Sequence, residues 1–164
     1  MKRIIIVLSA VFFITGISSA EACYTAADFE AEQGVRIHSE LMVIGLTCMK
    51  MPEGPALYRK YQDFSSKNAD LLAEYEEDLI QHYTKEGASA PEEKFHALRT
   101  NLANDISRRA INMSMLSFCQ QFSPRIDQAL EMDQQKVRRW AQHVWPDQAP
   151  TEPMCSNELT HGQM

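Results

Sequence analysis

Apolar residues recur along this chain at spacings of three and four, and no stretch alternates apolar with polar residues as a half-buried strand would. Phe29, Ile37, Leu41, Ile44 and Cys48 form the first stripe. It follows Thr25-Ala-Ala-Asp28, a capping-box sequence, and stops before Pro52. A second stripe runs through Leu57, Tyr61, Phe64, Asn68, Leu71, Tyr75 and Leu79, opened by Gly54-Pro55 and closed by Gly87. The third passes through Phe95, Leu98, Leu102, Ile106, Arg109, Met113 and Leu116, with Ser89-Ala-Pro-Glu92 as a second capping box. The fourth starts at Ser123-Pro124, carries Ile126, Leu130, Val137, Trp140 and Val144, and ends at Pro146.

These stripes predict an all-α fold: four helices over about residues 25–51, 55–86, 91–121 and 124–145, joined by short loops. The simplest arrangement is an antiparallel four-helix up-down-up-down bundle spanning 23–145. The tail, 146–164, holds Pro146, Pro150 and Pro153 and is expected to be extended.

The N-terminus departs from this pattern. Lys2 and Arg3 precede an apolar run from Ile4 to Ile17, and small residues follow. That is the layout of a secretory signal peptide, 1–22, cleaved after Ala20 or Ala22. The apolar run falls short of the roughly 20 residues that cross a bilayer. The chain carries a net charge of −6, and loss of Lys2, Arg3 and Glu21 with the leader would make it one unit more negative. An acidic exported domain argues against nucleic acid as a partner, and against membrane attachment once the leader is gone. The expected location is periplasmic or secreted.

Export changes the reading of the four cysteines, Cys23, Cys48, Cys119 and Cys155. An even number in an oxidising compartment implies two disulfides. Cys23 and Cys48 would lie at opposite ends of one helix, about 37 Å apart at 1.5 Å per residue, whereas a disulfide needs Cα atoms within about 7 Å. In an antiparallel bundle Cys119 comes to the end that holds Cys48, and the tail brings Cys155 back towards Cys23. The expected bridges are therefore Cys48–Cys119 and Cys23–Cys155, the second tying the tail to the bundle.

Three groups of residues are candidates for function. Leu41 to Met49 is apolar on every side except Thr47, which points to burial by loops and tail or to a contact surface at Met42, Val43 and Leu46. Asp78 and His82, with Glu93 and His96, sit at the expected tip of the second hairpin at helical spacings and are a speculative zinc set, not favoured over solvated polar residues. Cys48 with Met51, and Met115 with Cys119, would suit Cu(I) if the thiols were reduced. Gly34 and Gly45 lie nearly on one line of the first helix, where a neighbour can approach closely. Lys136, Arg138 and Arg139 suit the negative end of the last helix, and an inward Arg109 would need a carboxylate such as Glu74 or Asp78.

No Cys-x-x-Cys-His, G-x-S-x-G, H-E-x-x-H or phosphate-binding glycine loop is present. No cofactor is therefore expected. The function expected is non-enzymatic binding of another protein, a second copy of this chain included. The alternative is metal binding, by copper at the sulfur-rich end or zinc at the 78–96 hairpin.

Overall fold

The computed structural model describes residues 22–143 and 149–156. Residues 1–21 of the expected leader 1–22, the expected end of the last helix at Val144, Trp145 and Pro146, and the tail beyond Ser156 lie outside the described residues. Within them the fold is all-helical: α1 (Ala26–Thr47), a 3₁₀ turn (Cys48–Lys50), α2 (Gly54–Lys67), α3 (Ala69–Lys85), α4 (Pro91–Asn112), α5 (Met115–Phe122), α6 (Pro124–Leu130) and α7 (Gln134–Ala141). The described residues contain no strand, only a single parallel bridge between Tyr24 and Met154.

Three of the four expected rods are broken, each at or beside a polar residue that offers the backbone another partner. The rod expected over 55–86 divides at Asn68. Its side-chain amide donates to the Phe64 carbonyl at 3.0 Å, the same oxygen that its backbone N–H reaches at 3.1 Å. Such local competition is why asparagine interrupts helices. The rod expected over 91–121 divides at Met113, whose backbone is extended, and Ser114 then caps α5 by accepting from the Ser117 N–H. The rod expected over 124–145 stops at Leu130 and restarts at Asp133, which accepts from the Lys136 N–H.

The cap at Thr25 forms as the sequence implies. Thr25 Oγ1 accepts from the Asp28 N–H, and Asp28 Oδ2 accepts from the Thr25 N–H at 2.9 Å. The second expected capping box does not form. The residue before α4 is Ala90, with no side-chain hydrogen bond, and Pro91 supplies the first turn instead.

α1 is the axis of the fold, and every other α-helix packs against it. From Asp28 to Gly45 it is buried on nearly all sides. This accounts for the apolar character of Leu41 to Gly45 without a partner, because neighbouring helices cover it, whereas Leu46 and Met49 stay exposed. Close approach at Gly34 is part of the packing. A Cβ built there would stand 2.2 Å from Cε2 of Tyr75, whose hydroxyl donates to Glu30 at 2.9 Å. Gly34→Ala is therefore expected to push Tyr75 out of its seat, at a cost of about 2–3 kcal/mol. Urea denaturation measures the loss, and an unchanged midpoint would mean that the ring gives way freely.

Two disulfides fasten the ends. Cys48 joins Cys119, Cα–Cα 5.6 Å, and Cys23 joins Cys155, Cα–Cα 5.0 Å. These are the pairings expected from the order of the helices. Two disulfides fit an oxidising environment. Among the described residues, no helix is long and apolar enough to cross a membrane.

The tail segment 149–156 is a strap laid over the start of α1. The Tyr24 N–H donates to the Pro153 carbonyl at 2.8 Å, and the Cys155 N–H donates to the Tyr24 carbonyl at 3.0 Å. Beneath it lies Glu32, 0% exposed. This carboxylate accepts from the Thr151 N–H at 3.0 Å, from the Thr151 hydroxyl, and from Arg36 at 2.6 Å. Arg36 also donates to the Ala149 carbonyl at 3.2 Å. The Thr151 hydroxyl hydrogen is committed to Glu32, so the Tyr24 hydroxyl, 3.1 Å away, is the donor to Thr151 Oγ1. Burial, then the Glu32 charge, hold the Tyr24 phenol far above its ordinary pKa, which keeps that donor protonated.

Candidate functional site

Among the described residues, two places present chemistry that the fold alone does not need, one beside each disulfide. At the strap end the focus is His82, near the end of α3 and buried. Its side chain meets three carboxylates from three elements. Nδ1 lies 3.4 Å from Asp28 Oδ2 at the start of α1. Nε2 lies 2.9 Å from Glu152 Oε2 on the strap and 3.2 Å from Glu86 Oε1, one turn further along the chain. The ring sits edge-on to Tyr24 and Tyr83.

Lys94, in the first turns of α4, closes the cluster. Its Nζ is 3.0 Å from Glu86 Oε2 and 3.3 Å from Glu152 Oε1, and it lies over the Tyr83 ring. Partial burial works against its charge, but the hydrogen bond to Glu86 and the Glu152 charge outweigh it, and the net shift is upward. Each glutamate thus turns one oxygen to Lys94 and the other to His82. The Nε2 hydrogen bond runs to Glu152, which leaves Glu86 Oε1 buried with no hydrogen-bond partner.

This is a different set from the one the hairpin spacing suggested. His82 is in the cluster, and Asp78 joins it only in lining the adjacent cleft of about 650 Å³, together with Thr25, Gln81 and Lys85. Burial, then Glu74 and Asp28, push the Asp78 carboxyl above its usual range. Glu93 and His96 are exposed on α4, with the His96 ring resting against Phe95. The hairpin tip does not stand free, because the strap reaches it through Glu152.

Sequence reasoning missed Asp28, Glu86, Lys94 and Glu152. Glu86 was legible as the i+4 neighbour of His82 on one helical face. Asp28 was accounted for by its cap, and nothing in the local pattern ties Glu152 to α3. His38, also unremarked, is a satisfied core histidine. Its Nε2 lies within hydrogen-bonding distance of both Tyr61 and Ser65, and burial, then Arg99, hold its pKa down.

At the other end, a cleft of about 380 Å³ opens beside the Cys48–Cys119 bridge, lined by Met51, Leu57 and Pro124 among others. Of the expected contact residues, Val43 is a core residue, Met42 is partly buried and Leu46 is half exposed. The large apolar side chains left exposed among the described residues are Leu46, Met49, Ile111, Met115 and Leu116. All five lie in segments that this disulfide joins: two flank Cys48 and three precede Cys119. Ile111 is the most open, at 79%, and Leu116 is 51% exposed.

The copper reading needs two thiolates, and in this oxidised chain both sulfurs are bonded to each other. Of the last-helix arginines, Arg138 is engaged. Arg138 pairs with Glu30 at 3.1 Å and with Glu74 at 2.5 Å, and it lies over the Tyr75 ring. Glu74, one of the two carboxylates suggested for Arg109, is thus taken by Arg138. Compared with known proteins, the chain matches no family model, no curated protein and no solved structure.

Proposed function

We propose that this is an exported helical protein that works by binding another protein through its Cys48–Cys119 end, without catalysis of its own. One observation carries the reading: every large apolar side chain exposed among the described residues belongs to the segments that flank Cys48 or precede Cys119. Side chains of this kind clustered away from the core are what protein interfaces use. The leader-like residues 1–22 and the two disulfides support export to a periplasm or to the exterior. In this reading the four expected segments run up and down as a disulfide-closed frame, and the frame holds Ile111, Met115 and Leu116 where the described residues leave them half exposed or more open. The contact surface is then Leu46, Met49, Ile111, Met115 and Leu116, with Leu46 kept from the surface first expected. The partner is a protein with an apolar surface of its own, and a second copy of this chain is the simplest such partner.

Site-specific photocrosslinking in the native compartment tests this. A photoreactive residue at 111 or 116 is expected to give a discrete adduct, and the same residue at the exposed position 92, at the other end of α4, is expected to give none. An adduct of twice the chain mass identifies a self-complex. Leu116→Glu is expected to weaken the association at least tenfold. No adduct from 111 or 116, or equal labelling from 92, would sink the proposal.

A further inference from the structure

We propose that His82, Glu86 and Glu152 form a divalent-cation site, best matched to zinc, in which Asp28 orients the imidazole. The argument is independent of the protein-binding reading and rests on the other end of the molecule.

The three ligand atoms, His82 Nε2, Glu86 Oε1 and Glu152 Oε2, all lie within 4.8 Å of one another. The imidazole nitrogen is 2.9 and 3.2 Å from the two oxygens. Zinc bonds of about 2.0–2.1 Å in tetrahedral geometry would set neighbouring ligands about 3.3–3.4 Å apart. Small side-chain adjustments therefore suffice. One imidazole and two carboxylates are a borderline-hard donor set suited to zinc, with water completing the coordination. His82 and Glu86 both line the 650 Å³ cleft, which gives ion and water a way in.

Two further observations favour a cation over a simple ion pair. The first is charge. Asp28, Glu86 and Glu152 meet the ring, and the ammonium in ion-pair contact with the two glutamates is Lys94, Lys85 only lining the adjacent cleft. With a neutral His82 these contacting groups sum to two negative charges. A divalent ion cancels them. A protonated His82 cancels only one, and with its Nε2 hydrogen bond running to Glu152 it leaves Glu86 Oε1 as the buried orphan. The second is the other face of the ring. Nδ1 sits 3.4 Å from Asp28 Oδ2, so an Nδ1–H donated there would fix the tautomer that exposes Nε2 to the ion. A carboxylate behind a metal-binding histidine does this in many sites. The ligands come from α3 and the strap and the orienting carboxylate from α1, so the ion would also fasten the strap.

The test uses the mature, oxidised protein, stripped with chelator and titrated calorimetrically with Zn²⁺. The expected result is one zinc per chain and a raised thermal midpoint. Glu86→Gln and Glu152→Gln are each expected to weaken binding at least tenfold, whereas His96→Gln leaves it unchanged. His82→Gln abolishes binding, but it alters a buried group, so the partly exposed glutamates carry the test if that variant misfolds. Asp28→Asn is expected to weaken zinc 10- to 100-fold. It should also shift the absorption bands of the Co²⁺-substituted protein, a readout that loss of the helix cap alone would not move. No zinc retained by the wild-type chain, or zinc held by Glu86→Gln as tightly as by wild type, overturns the proposal.

Discussion

Glu32→Ala is expected to lower the stability of the oxidised protein by about 3–5 kcal/mol, the cost typical of removing one partner of a buried ion pair. Glu32 is wholly buried, and its Arg36 partner has a side chain only 11% exposed. Removing the carboxylate leaves the guanidinium with the Ala149 carbonyl as its remaining acceptor. The Thr151 N–H and hydroxyl lose their shared acceptor as well. A buried guanidinium donor left without a partner costs about 1–3 kcal/mol, whereas Thr151 is exposed and its donors can turn to water. Glu32→Gln keeps the shape and one acceptor oxygen, and should lose less. Because the Cys23–Cys155 bridge still tethers the strap, the damage should be largest locally. Amide exchange at Thr151 and Cys155 should speed up more than exchange in α3 or α4. An unchanged denaturation midpoint in Glu32→Ala would mean that solvent reaches the strap and that this pair does not hold it.

The second large effect acts on the unfolded chain. Replacing both Cys48 and Cys119 by Ala opens a loop whose ends are 71 residues apart. The chain-entropy relation puts the loss at about 4 kcal/mol, and less while the Cys23–Cys155 bridge still restrains the denatured chain. The two variants can be told apart by more than their midpoints. Loss of the crosslink lets the denatured chain expand, so the slope of stability against urea should rise. Glu32→Ala removes native contacts only and should leave that slope unchanged. If the double cysteine variant had the wild-type slope and midpoint, Cys48–Cys119 would not be restraining the unfolded chain.

Periodicity was enough to read the helical class, the Thr25 cap and the inward residues of the long helices, because those follow from spacing along a single segment. The pairing of the four sulfurs was also legible, since the order of the segments decides which ends meet even when the rods are broken. The breaks were not read, and they have consequences. Extending one phase through Met113 placed Leu116 inward. The extended backbone at Met113 resets that phase, so Phe118 and Phe122 go into the core and Leu116 comes out. Ser114 and Asp133 carry cap chemistry that could have marked both restarts. Val43 was misread for another reason: α1 is surrounded by the other helices, and how many neighbours a helix has is not written in its own sequence. The His82 cluster was least legible of all. It assembles Asp28, His82, Glu86, Lys94 and Glu152 through tertiary contacts, and Glu152 arrives on a proline-rich strap with no periodicity to interpret.

The Cys23–Cys155 bridge gives this fold an unusual mechanical property. A pull applied through the two ends of the described chain enters at one sulfur and leaves at the other, crossing a single covalent link between Cα atoms 5.0 Å apart. The intervening helices lie on a closed circuit in parallel with that link and bear almost none of the load. Tethering or fusing this protein at either end would therefore strain neither its core nor the apolar side chains at its far pole.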